Sequence, residues 1–127
     1  RLHRVKNLVD FIEGTEEAIP IDLKFDVVIT NFYLDLFADE TLKCVIDRIN
    51  THVTPSSTWL VSEFIKGSTW WHHWMLKVMY LFFRNVCDIE ANQLPEWQKQ
   101  LGNQGWEVVS SKPFYHGFIH STVWHYR

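Results

Sequence analysis

Four residues that could bind a ligand follow directly after an apolar segment of the sequence. The segment Phe25–Thr30 reads FDVVIT, and Asn31, Phe32, Tyr33 and Asp35 come after it. A strand that is apolar on both faces is typical of the centre of a parallel sheet, and ligands of open α/β sheets bind at the carboxyl ends of such strands. The spacing therefore predicts a binding site just beyond Thr30. The alternative is that Asn31 caps the turn, Phe32 belongs to the core and Asp35 caps the next helix.

A glutamate within the next apolar segment is a further candidate for chemistry. The segment Thr58–Ile65 reads TWLVSEFI and predicts a second buried strand, with Glu63 near its carboxyl end. A buried carboxylate is costly unless it is paired. We therefore expect Glu63 either to meet a substrate or to pair with a neighbouring Arg or His.

The histidines are candidates for metal ligands and for general bases. His72 and His73 are adjacent and point in different directions on a helix, and the chain contains no HExxH motif or Cys/His cluster. We therefore expect no metal site. His72, His73 and His116, together with Asp35, are the candidates for a general base, and none of them is singled out by the sequence.

The elements that must position these residues follow the order β-β-α-β-α-α-β-β. An apolar stripe from Leu42 to Val53 predicts a helix that stops before Pro55. Joined to its two flanking strands, it forms a right-handed βαβ unit, so the predicted fold class is α/β. The predicted strands are Leu8–Glu13, Phe25–Thr30, Thr58–Ile65, Trp106–Lys112 and Phe118–Tyr126, and two further helices cover Trp70–Asn85 and the region from Pro95 to Gly105.

The aromatic helix Trp70–Asn85 carries one polar stripe, formed by His73, Lys77 and Arg84. Its apolar run is too short and too charged to span a bilayer. We expect a lid over a substrate or an interface helix rather than a membrane contact. The polar stripe suits an anionic substrate, or it is simply exposed to solvent.

Composition narrows the class of protein. The chain has 127 residues, enough for one domain, and its net charge of −3 argues against a basic nucleic-acid groove. Cys44 and Cys87 lie far apart without a CxxC motif, which is typical of reduced thiols in a cytoplasmic protein. The chain also contains no GxSxG motif of a serine hydrolase.

The order and spacing of these segments resemble the carboxyl-terminal portion of a class I S-adenosylmethionine-dependent methyltransferase domain. Val9–Pro20 resembles the family's third strand and acidic loop, and Phe25–Phe37 resembles its fourth strand and the segment under the cofactor. Thr54–Phe64 resembles the turn and fifth strand, Leu94–Val109 the helix and sixth strand, and Phe118–Tyr126 the last strand. The resemblance implies a Rossmann-like, mostly parallel sheet with an antiparallel C-terminal strand over nearly the whole chain.

The resemblance also implies site residues and a cofactor, S-adenosyl-L-methionine. Thr15 and Glu16 would reach the adenine, although they could equally form a solvated acidic turn. Asn31 and Phe32 would lie near the methionine part of the cofactor. The residues implied to face a small-molecule substrate are Tyr33, Asp35, Glu63 and His73.

Several family features have no counterpart in this sequence. The glycine-rich loop after the first strand and the acidic residue that ends the second would lie before Arg1, so we expect residues 1–127 to form a single, incomplete domain. Ser56 and Ser57 replace the usual pair of glycines, and Thr15 stands where an aspartate is common. Without the first strands, Phe25–Thr30 becomes an apolar sheet edge, which predicts homo-oligomer formation.

Two functions remain open at this stage. The resemblance implies a methyltransferase, an enzyme whose cofactor loop is missing from this chain. The alternative is a non-catalytic binding or assembly module derived from the methyltransferase fold, which the missing glycine-rich loop favours. A nicotinamide-dependent oxidoreductase shares the α/β architecture and would need a glycine-rich loop as well.

Overall fold

The computed structural model describes residues 9–64, 70–87 and 96–127. From Phe25 onward the described elements follow the predicted order, which confirms the α/β fold class. Two short 3₁₀ turns, at Glu16–Ala18 and Leu34–Leu36, flank the first strand. The strands are β1 (Phe25–Asn31), β2 (Val53–Phe64), β3 (Trp106–Phe114) and β4 (Ile119–Tyr126), and the helices are α1 (Asp39–Asn50), α2 (Trp70–Cys87) and α3 (Trp97–Asn103).

The four strands form one mixed sheet in the order β1-β2-β4-β3. β1 and β2 are parallel, with Val28 opposite Trp59. β4 lies between β2 and β3 and is antiparallel to both. Three strands therefore share one direction and β4 opposes them, as predicted. β1 is an edge strand of this sheet, which also agrees with the prediction.

The predicted strand Leu8–Glu13 is not formed in the part of it that the structure describes. Residues 9–13 are irregular and exposed, with Phe11 94% accessible to solvent, and Leu8 lies outside the described residues. A strand needs a neighbour that satisfies its backbone N–H and C=O groups. The sheet described here stops at β1, so this segment has no strand beside it.

The boundary between α1 and β2 also differs from the prediction. α1 ends at Asn50 and Val53 opens β2, because the apolar stripe of the helix runs without a break into the apolar face of the strand. Pro55 and Ser56 lie inside β2, where the register with β1 shifts and Ser56 takes a positive φ of 76°. The predicted turn is therefore an irregularity within a longer strand.

The core fills the space between one face of the sheet and helices α1 and α3. The indoles of Trp59 and Trp106 meet edge to face with their ring centroids 5.1 Å apart. Trp59 Nε1 donates to Thr30 Oγ1 at 2.9 Å, and Trp106 Nε1 donates to Asn50 Oδ1 at 2.8 Å. Both buried indoles thus have their polar group satisfied. The fully or nearly buried apolar residues here are Leu34, Leu42, Val45, Ile46, Ile49, Val53, Trp59, Val61, Trp97, Leu101, Trp106 and Trp124.

Candidate functional site

The candidate site lies where the parallel strands β1 and β2 end side by side. Asn31 is opposite Ser62, and the backbone N–H of Phe32 donates to Ser62 O at 2.8 Å. Phe32 has a positive φ of 53°, which is uncommon for an aromatic residue and turns the chain sharply away from the sheet. Its ring packs against Phe64 with the centroids 4.9 Å apart.

Glu63 holds this turn from the neighbouring strand. Its Oε1 accepts the backbone N–H of Tyr33 at 3.0 Å and that of Leu34 at 2.8 Å. The side chain is fully buried, and Oε2 has no hydrogen-bonding partner within the described part of the chain. Glu63 therefore bonds to backbone donors of the turn rather than to the Arg or His that the sequence led us to expect.

Asp35 is the second carboxyl of the same buried cluster. It lies in the turn Leu34–Leu36 and is 3% exposed. Burial raises the pKa of Asp35 to about 6, against the lowering effect of a hydrogen bond with Glu63. Burial and the negative charge of Asp35 raise the pKa of Glu63 to about 8, against the lowering effect of the Leu34 and Tyr33 N–H groups. Both carboxyls are therefore harder to ionise in the folded chain than in water, because they are buried next to each other.

Tyr80 completes this carboxyl cluster from helix α2. Its hydroxyl donates to the backbone carbonyl of Asp35 at 3.3 Å, and its side chain is buried. Burial raises the pKa of the Tyr80 phenol, and the negative charges of Asp35 and Glu63 raise it further. The phenol therefore stays protonated and ties α2 to the end of the sheet. No motif in the sequence around Tyr80 predicts this role.

A groove of about 500 Å³ runs along β1 beside this cluster. Thr15, Glu16, Asn31 and Tyr33 all line it, so the structure brings together four of the predicted site residues. Tyr33 donates its hydroxyl hydrogen to Glu16 Oε2 at 2.5 Å, which links the loop before β1 to the turn after it. Burial and the Glu16 carboxylate raise the pKa of Tyr33.

His52 also lines the groove and was missed in the sequence reading. It is 1% exposed, its Nδ1 lies 2.9 Å from Leu23 O, and its Nε2 has no partner among the described residues. No motif surrounds it, since it simply follows α1. Only the pairing of β1 with β2 brings it to the groove.

The remaining predicted residues lie elsewhere. Phe32, Asp35 and Glu63 do not line the groove, and neither do His73 and His116. His73 is half-buried on α2, and His116 is exposed in the β3–β4 turn. The side chain of the sixth candidate, His72, lies outside the described residues.

Two searches of the described residues returned nothing. No group of three or more His, Cys, Asp or Glu side chains among them could hold a metal ion. None of the helices within residues 9–64, 70–87 and 96–127 is long and apolar enough to cross a membrane.

The fold is one that solved methyltransferase structures share, and these structures match most or nearly all of the chain. An O-methyltransferase family protein from Burkholderia thailandensis matches 99% of this chain with a TM-score of 0.71 and 17% identity. The mitomycin 7-O-methyltransferase MmcR also matches 99% of it, with a TM-score of 0.66 and 19% identity.

A third solved structure extends the comparison to a protein with a ligand. The magnesium protoporphyrin IX methyltransferase ChlM from Synechocystis PCC 6803, with bound SAH, matches 90% of this chain with a TM-score of 0.59 and 18% identity. This chain spans only 38%, 37% and 49% of the three structures. Neither a protein-family model nor a curated protein matches the sequence. The likeness therefore establishes the fold.

Proposed function

We propose that this chain is part of an S-adenosylmethionine-dependent methyltransferase that acts on a small molecule. The observation that carries the proposal is the groove along β1. Four residues that the methyltransferase resemblance assigned to cofactor and substrate, separated in sequence, line this one groove: Thr15, Glu16, Asn31 and Tyr33. The groove runs along β1 and reaches the carboxyl end of the strand at Asn31, the position at which ligands of open α/β sheets bind.

The residues of the groove fit the cofactor in size and chemistry. A volume of about 500 Å³ is within the usual range for small-molecule sites. Val27 and Ile29 give it an apolar wall, while Thr15 and Glu16 offer polar groups at one end. These two would face the adenine, and Asn31 would face the methionine part. The resemblance gives Phe32 the same role, although its side chain does not line the groove. Since the chain spans less than half of each solved structure named above, it supplies one wall of the site.

The chemistry asks little of the chain itself. The bound cofactor would supply an activated methyl group, and the protein would orient the acceptor and exclude water. Asp35 and Glu63 are buried and would act by fixing the turn that carries Phe32 and Tyr33. Substrate contact by Tyr33 and His73, and proton removal by His72 or His116, stay predictions.

Calorimetric titration with S-adenosylhomocysteine tests the cofactor proposal. The titration uses this chain and the longest open reading frame that contains it. We expect the longer protein to bind, and Asn31→Ala to weaken binding about tenfold through loss of one hydrogen bond to a charged amine. Asn103→Ala, at the exposed end of α3, is the matched control and should leave the affinity unchanged.

Failure of both proteins to bind S-adenosylhomocysteine would rule out the enzyme and leave the alternative, a non-catalytic assembly module. Equal affinity of the Asn31→Ala and Asn103→Ala variants would instead contradict the placement of the cofactor beside β1.

We also propose that the chain self-associates through the edge of β1. Val27 and Ile29 are 53% and 61% exposed on β1, the edge strand of the described sheet, and an exposed apolar edge invites strand pairing. Ile29→Lys should abolish dimers in sedimentation velocity, because a lysine on an edge strand disfavours pairing with a second chain. Ile21→Lys, in an exposed loop, is the control. A monomer at every concentration in the unmodified chain would refute the proposal.

A further inference from the structure

Within the described part of the chain, helix α2 has one apolar face that is buried against the protein and a second apolar face that is largely exposed to solvent. Leu76 and Tyr80 are buried in a cluster with Phe118 of the β3–β4 turn. Trp74, Val78 and Leu81 lie on the opposite side and are 62%, 48% and 64% exposed. Their spacing of four and three residues places them in one stripe along the helix. Met75 and Phe82, also exposed, widen the stripe.

The outer face of α2 is the exposed apolar surface formed by Trp74, Met75, Val78, Leu81 and Phe82. These residues lie next to one another on the helix, unlike apolar residues that are exposed singly. Contiguous apolar patches of this kind on a protein surface mark protein or membrane contacts. Their residue types matter as well, because Trp is enriched where a protein meets the headgroup region of a bilayer. A surface that places aromatic and aliphatic side chains side by side suits that boundary.

The charges beside the outer face decide between the two kinds of contact. Lys77 and Arg84 are exposed and lie four and three residues from Leu81, so they border the stripe. Residues 70–87 contain no Asp or Glu, whereas the whole chain has a net charge of −3. The helix is therefore a local cationic region in an acidic protein.

A second copy of the chain fits this surface poorly. In a two-fold dimer through α2, the same patch meets itself, so the interface would bring together four cations, Lys77 and Arg84 from each copy. No acidic residue of the helix offsets that repulsion. Anionic lipid headgroups, in contrast, pair with both cations while the apolar side chains enter the acyl boundary.

We propose that the outer face of α2 docks onto the surface of an anionic phospholipid membrane, with the helix lying in the plane of the bilayer. The hairpin tip extends the contact, since Phe118 packs against Trp71 with ring centroids 6.1 Å apart and the neighbouring Phe114 and Tyr115 are exposed. This proposal differs from the lid or interface helix that the sequence predicts, and that role stays a prediction. The inference stands whether or not the chain binds the methyltransferase cofactor.

Vesicle co-sedimentation of the full chain tests the docking surface. Vesicles of phosphatidylcholine alone are compared with vesicles containing equal parts phosphatidylglycerol and phosphatidylcholine. We expect binding to the anionic vesicles that weakens with added salt. Lys77→Ala combined with Arg84→Ala should weaken partitioning about 30-fold, and Leu81→Glu should weaken it by at least about tenfold.

Two control variants separate the surface from general changes in charge and hydrophobicity. Ile21→Glu alters a residue of similar exposure, 72%, away from α2. Lys43→Ala combined with Lys99→Ala removes two exposed cations from α1 and α3. Both controls should bind like the unmodified chain, and circular dichroism checks that every variant is folded.

The proposal fails if the folded chain does not bind anionic vesicles at millimolar lipid. It also fails if Leu81→Glu and Ile21→Glu bind equally well. A chain that does not bind vesicles but forms dimers, which Leu81→Glu disrupts, would also contradict the proposal. The outer face would then be a contact between two copies of the chain.

Discussion

Replacing Glu63 by alanine should destabilise the domain by about 2–4 kcal/mol, because the buried N–H groups of Tyr33 and Leu34 would both lose their acceptor. A loss of this size is a large part of the stability of a small domain. The turn that carries Phe32 and Tyr33 would also lose its anchor on β2. Urea denaturation of the variant and the unmodified chain at one pH measures the difference.

Glu63→Gln is the matched control for this prediction. The amide keeps a carbonyl oxygen in the position of Oε1 and removes a buried acid whose Oε2 has no partner among the described residues. We therefore expect it to change the unfolding free energy by less than about 1 kcal/mol at neutral pH. If alanine and glutamine cost the same, the hydrogen bonds to the turn contribute little and the anchoring role of Glu63 is wrong.

The same carboxyl cluster gives the protein an unusual dependence of stability on pH. The pKa values of Asp35 and Glu63 in the folded chain, about 6 and about 8, lie above their ordinary values of 3.8 and 4.5. The folded state therefore binds more protons than the unfolded state, and this contribution to stability falls as the pH rises. The slope should be about 1.4 kcal/mol per pH unit for each extra proton.

The window of this effect follows from the two pKa values. The contribution is fully present below the ordinary pKa values of 3.8 and 4.5, and it is lost as the pH rises through the folded-state values of about 6 and about 8. The double variant Asp35→Asn/Glu63→Gln lacks both groups and should show a flatter profile in urea denaturation across this range. Parallel profiles for the double variant and the unmodified chain would show that the two carboxyls titrate normally in the folded state.

Periodicity and turn chemistry were enough to predict the elements from Phe25 onward. The apolar run after Asp26 in FDVVIT predicted the strand β1, which is an edge strand of the described sheet, and the spacing of Leu42, Val45, Ile46 and Ile49 predicted α1. Both signals are local, so they survive whatever lies elsewhere in the chain. The strand predicted at Leu8–Glu13 failed because its apolar residues need a neighbouring strand, which is a property of the whole sheet.

The site residues also fall into two groups: those that local sequence signals predict and those that depend on long-range contacts. The turn after β1 was predicted because ligand sites follow strand ends in this architecture. The bond between Glu63 and that turn joins residues 30 positions apart, and His52 reaches the groove only through the pairing of β1 with β2. Tyr80 approaches Asp35 across 45 positions. Contacts of this range leave no periodic signal in a sequence.

The position of β4 in the sheet has a consequence for how the chain reaches its folded state. β4 comes last in the chain, yet it is a central strand, paired with β2 through Thr58 and His125 and with β3 through the hairpin. Closing the β2–β4 pair encloses both α2 and α3, and such long-range closure slows folding. The sheet is therefore complete only when β4 is present, and a chain truncated before Ile119 would keep β1, β2 and β3 but lose the strand that joins β2 to β3.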